Sequence, residues 1–153
     1  MNLELRGRLL QRMAADRQLR TGPLDAAAWL AFDTGSTALL RDSLAAHGWP
    51  SCLLVGEDGA TAAWLLAQHS PDLAFQREVL ALLLTLPPEE ADPRHAAYLH
   101  DRICIRGGRA QRYGTQIKLD GQPFELEAGD VDGRRAAVGM EPLADYLLRF
   151  TFS

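Results

Sequence analysis

Asp101-Arg102-Ile103-Cys104-Ile105-Arg106-Gly107-Gly108-Arg109-Ala110-Gln111-Arg112-Tyr113-Gly114-Thr115-Gln116 is the stretch across which the hydrophobic period changes. Before it, apolar residues recur every three or four positions, the spacing of an α-helix. Ala96, Leu99 and Ile103 form the last such stripe, and Tyr98, Asp101 and Arg102 lie on the adjoining face, close enough to touch. Gly107-Gly108 then lets the backbone turn. Beyond the turn, Gln116 to Leu119, Asp120-Gly121 and Gln122 to Leu126 predict a small hairpin with an Asp-Gly turn, and Pro123 suits an edge position.

Working back from this stretch, the chain reads as a series of helices. Leu5, Leu9 and Met13 define a first helix over 3–20, closed by Asp16 and Arg20, whose spacing suits an exposed ion pair worth about 0.3–0.5 kcal/mol. A second helical region covers about 25–47, with an interruption expected near Asp33-Thr34-Gly35, where Asp33 or Thr34 would cap a new helix. Gly48-Trp49-Pro50 stops it. Gly56-Glu57-Asp58-Gly59 is expected to open a third, largely apolar helix with Asp58 as its cap. Ser70-Pro71-Asp72 starts a fourth with an N1 proline, and Pro87-Pro88 ends it. Past the hairpin, Asp130 caps a sixth helix and Pro142 begins the last. The expected fold is one mainly α domain over 1–153, with six or seven helices and a small β-hairpin near 116–126.

At 153 residues with 47% hydrophobic and 24% charged residues, the chain has the make-up of a globular domain with a real core. A net charge of −4 argues against nucleic acid as a partner, although Arg102, Arg106, Arg109 and Arg112 fall close together. No apolar run nears the roughly 20 residues of a membrane helix, and the N-terminus lacks a secretory segment, which together point to the cytoplasm. Cys52 and Cys104 are read as buried free thiols.

Two regions hold candidate chemistry. Gln68-His69 meets Asp72 and Gln76 at a junction between two apolar helices, an unusual place for four polar side chains. There His69 suits a general acid or base, oriented by Asp72 or by Asp101. The same groups could also serve only to satisfy helix ends. Arg102 and one of Arg134 and Arg135 would hold an anionic group. Gln68, Gln76, Gln111, Tyr113 and Gln116 would shape the pocket, although Gln and Thr in loops more often bridge backbone groups. No metal or cofactor is expected: His69 and Asp72 are only two ligands, and no Cys-x-x-Cys or His-Glu-x-x-His spacing occurs.

Taken together, Gly48-Trp49-Pro50, Gly56, Gln68-His69 with Asp72, Phe75-Gln76, Asp101-Arg102, Gln111 to Gln116, Val131 to Arg135 and Gly139 to Leu143 resemble a small bacterial family of uncharacterised domains. The resemblance spans about residues 10–147, with Pro71 and Met140 as small departures. It implies a shared pocket and supplies no reaction. The favoured reading is a cofactor-independent hydrolase or acyl/amide-directed transferase acting on a small-molecule or peptide substrate, with activated water in place of a covalent intermediate. A non-catalytic peptide- or metabolite-binding module, or a helical assembly or antitoxin-like protein, is the competing expectation.

Overall fold

The computed structural model describes residues 1–151 and is mainly helical, as the periodicity requires. Seven α-helices are described: α1 (Leu3–Thr21), α2 (Ala26–His47), α3 (Cys52–Gln68), α4 (Leu73–Thr85), α5 (Pro93–Arg106), α6 (Val131–Ala137) and α7 (Leu143–Leu147), the last followed by a 3-10 turn at Leu148–Phe150. No helix among the described residues is long and apolar enough to cross a membrane. The chain divides into two compact units, Met1–Ala91 and a second beginning at Asp92, each described by itself below.

In the first unit α3 is the central element and packs on α1, α2 and α4. Its buried face is mostly small, with Ala60, Ala62, Ala63, Ala67 and Leu66 withdrawn from solvent, which lets neighbouring backbones approach closely. Helix starts are set by side-chain caps: Asn2, Asp25, Ser51 and Asp72 each accept a hydrogen bond from a backbone N–H of the first turn.

Four expectations for this unit need correction. The second helix is not interrupted at Asp33; α2 runs through it, and Asp33 is held inside the helix by a partner on α1. The third helix has a short first piece from Cys52 under the Ser51 cap. Its long part opens after a break at Gly56, as expected, where φ of 78 lies in a region side chains rarely adopt, but without Asp58 as its cap. The Asp58 carboxylate pairs with Arg6. The fourth helix is capped by Asp72, so Pro71 precedes it and is not its first residue. Asp16 and Arg20 do pair at 2.7 Å, but the pair is not an exposed one: the Asp16 side chain is 1% accessible.

The second unit combines α5, capped by Asp92 with Pro93 at its start, with α6, α7 and a long irregular segment between them. The hairpin is present in minimal form. Ile117 and Pro123 make one antiparallel bridge, Lys118 N–H donates to Gln122 O and Phe124 N–H to Gln116 O. A parallel bridge joins Gln111 to Leu126. Gly121, at the turn, has φ +84, and a Cβ there would lie 2.6 Å from the carbonyl oxygen of Phe150. That oxygen is backbone and cannot swing aside. Gly121→Ala is expected to destabilise the protein by about 2 kcal/mol, from the strained φ and the clash together. Equilibrium urea unfolding checks this; a loss under about 0.5 kcal/mol would mean that the turn relaxes freely.

Candidate functional site

The densest polar cluster of the first unit forms where α1, α2 and the end of α3 meet. Asp16 on α1 is fully enclosed, and its Oδ1 lies 3.0 Å from His69 Nδ1 and 2.7 Å from Arg20 Nη1. Arg20 Nη2 reaches both oxygens of Asp33 on α2, at 3.0 and 2.8 Å. The Arg20 guanidinium also lies over the Trp29 ring, 4.9 Å from its centre. His69 is the C-terminal cap residue of α3, with its N–H donating to Leu65 O. Helix packing thus brings a residue 53 positions away in the chain under the imidazole.

His69 is accordingly oriented by Asp16 in place of the expected Asp72 or Asp101, and Asp16 is buried where an exposed pair was expected. Asp72 caps α4 through Phe75 N–H and pairs with Arg41 at 3.0 Å. The Phe75 N–H and then Arg41 hold its carboxyl below the usual carboxylate range. Gln76, fully buried, donates from Nε2 to Ala67 O and Gln68 O, the carbonyls left over at the end of α3. Gln68 is the buried last residue of α3. Ser70 and Thr37 share a hydroxyl hydrogen bond of 2.7 Å that ties this junction to α2.

The second unit places the remaining sequence-predicted residues around its irregular segment, and most of their polar atoms are engaged by backbone. Asp101, on α5 and 0% exposed, accepts from the N–H groups of Arg112, Tyr113 and Thr115 and from the Thr115 hydroxyl, all at 2.8–3.2 Å. Gln111 donates from Nε2 to Gln116 O and Phe124 O and accepts from Gln116 N–H. Arg134 donates to Arg112 O, Ala128 O and Glu127 O. Arg135, buried, donates to Glu141 O and Tyr113 O and stacks on Tyr146. Neither arginine forms an ion pair among the described residues, and both are taken up by backbone carbonyls. Gln116 Nε2 donates to Thr115 Oγ1, the Tyr113 ring stands edge-on to His100, and Arg102 sits half-buried on α5 beside Asp101. Cys104, buried and free, has its thiol pushed up by burial, which makes a poor nucleophile of it.

Asp16, Arg20 and Asp33 are the members that sequence reasoning missed as site residues. One signal was available: Asp33 interrupts an apolar helical run, where a carboxylate has to find a cationic partner.

The class defined by these observations is a mainly helical protein with an imidazole–carboxylate–guanidinium cluster built on an enclosed carboxylate. The chain belongs to DUF6624, a family of unknown function whose model matches residues 19–151. The matched residues take in Arg20, Asp33 and His69 and begin just after Asp16. No curated protein and no solved structure matches the chain.

Proposed function

We propose that the protein is a small hydrolase that activates water with His69. The observation carrying this reading is the 3.0 Å contact between His69 Nδ1 and the enclosed Asp16, on a ring whose side chain keeps 18% of its surface accessible. A carboxylate on Nδ1 selects the tautomer with its proton there and leaves the Nε2 lone pair as the base. Nε2 has no hydrogen-bond partner among the described residues. It takes a proton from water as the water oxygen attacks a polar carbonyl, and the imidazolium then returns that proton to the leaving group. Asp16 stabilises the imidazolium, while Arg20 fixes Asp16 and is itself anchored by Asp33. Arg20 and Asp33 are positioning residues.

Turnover of p-nitrophenyl esters and p-nitroanilides of polar acids, compared among the parent, His69→Gln and Asp16→Asn, tests the reading. Loss of His69 is expected to lower kcat by about 10²–10⁴-fold. Asp16→Asn should lower it as well, with an altered pH–rate profile, because the amide no longer favours the Nδ1–H tautomer. Equal turnover in folded His69→Gln and the parent protein would sink the proposal.

A further inference from the structure

We infer that Asp16, Asp33 and His69 form a divalent-cation site that Arg20 keeps closed. One ligand atom from each of the three lies within 4.8 Å of the other two. The 3.0 Å between His69 Nδ1 and Asp16 Oδ1 is a hydrogen-bond length, and it is also close to the spacing of two ligands each about 2 Å from one ion. Two carboxylate oxygens and an imidazole nitrogen suit a borderline cation such as Zn²⁺ better than the harder Mg²⁺ or Ca²⁺. The donors come from α1, α2 and the residue after α3, so helix packing already holds them close together, and the cost of binding lies in displacing Arg20.

Arg20 is the resident cation. It bridges the two carboxylates, yet its side chain is 21% accessible, so it can leave for solvent while both acids stay enclosed. By formal charge, two carboxylates against one guanidinium leave one negative charge, which a divalent ion in place of arginine would neutralise. A metal on Nδ1 takes the place of the proton that Asp16 accepts. The ion and the catalytic base are therefore alternative states of the cluster, and zinc would silence the activity proposed above. The inference does not rest on that activity, because binding is read without turnover.

The test titrates zinc chloride into the metal-stripped protein, following calorimetric heat, thermal shift and Trp emission, to which Trp29 reports the departure of Arg20. One equivalent of zinc is expected to bind and raise Tm in the parent protein. Arg20→Met should bind at least tenfold more tightly, and His69→Gln or Asp33→Asn should lose binding. If Arg20→Met does not fold alone, it should refold when zinc is supplied. Absence of heat and of thermal shift in both parent and Arg20→Met would overturn the site. So would zinc binding unchanged in His69→Gln and Asp33→Asn, or an Arg20→Met chain that zinc does not rescue.

Discussion

Replacing Asp101 with alanine is expected to cost about 4 kcal/mol, the size of effect seen when a buried charge–dipole cluster loses its only acceptor. The carboxylate has no exposed surface and gathers three backbone N–H groups and one hydroxyl from the segment Arg112 to Thr115. Alanine leaves those donors without a partner where water does not reach. Thr115→Val, which removes the hydroxyl's bond to Asp101 and the acceptor of Gln116 Nε2, should cost about 1–2 kcal/mol and shows how much of the loss comes from the hydroxyl alone. Equilibrium denaturation followed by near-ultraviolet dichroism checks both. A loss below 1 kcal/mol for Asp101→Ala would show that the segment holds its shape without the carboxylate. The same geometry fills the acceptor sites of Asp101 with structural hydrogen bonds, which is why the proposed chemistry is placed on His69 and Asp16.

The second large effect is on acid stability. His95 is buried on α5, and burial pushes its imidazole down to about 4 from an ordinary 6.5, with Asp92 opposing the shift and Arg94 adding to it. The unfolded chain takes up a proton at this residue as pH falls through 6.5, whereas the folded protein does so only near 4. Between those values the unfolded state binds more protons, so stability declines as pH is lowered and levels off below about 4. The full effect is about 3 kcal/mol at most. His95→Gln should flatten this window. Asp92, whose carboxyl is held low by its contacts with Arg94 despite partial burial, acts in a separate window, contributing stability that is lost only as pH falls below the ordinary carboxylate range. Chemical denaturation at pH 7, 5.5 and 4.5 separates the two, and an unchanged slope in His95→Gln would refute the assignment.

The helical elements were legible because each depends on local pattern. The cap at Asp130, the stop at Gly48 and the apolar stripes are written within a few residues of where they act. Asp33 misled for a physical reason. Locally it reads as a cap, and only the guanidinium arriving from α1 lets a carboxylate sit inside α2. The His69–Asp16 contact was illegible on the same ground, since neither residue's surroundings in sequence reveal which helices pack together. The polar run from Gln111 to Gln116 was conspicuous, and its purpose was not. A segment that forms neither helix nor strand must still satisfy its backbone groups when buried. Asp101, Gln111, Arg134 and Arg135 do that work, and their polarity reads in sequence like a ligand pocket.

That arrangement has a spectroscopic consequence. Far-ultraviolet dichroism of this protein reports α1 to α7 and is nearly blind to residues 109–130, whose order comes from side chains bonding to amides and carbonyls. The amide hydrogens of Arg112, Tyr113 and Thr115 should nonetheless exchange with deuterium as slowly as those of a packed helix. Melting curves recorded at 222 nm will therefore miss the loosening of this segment, which isotope exchange and tyrosine signals will register.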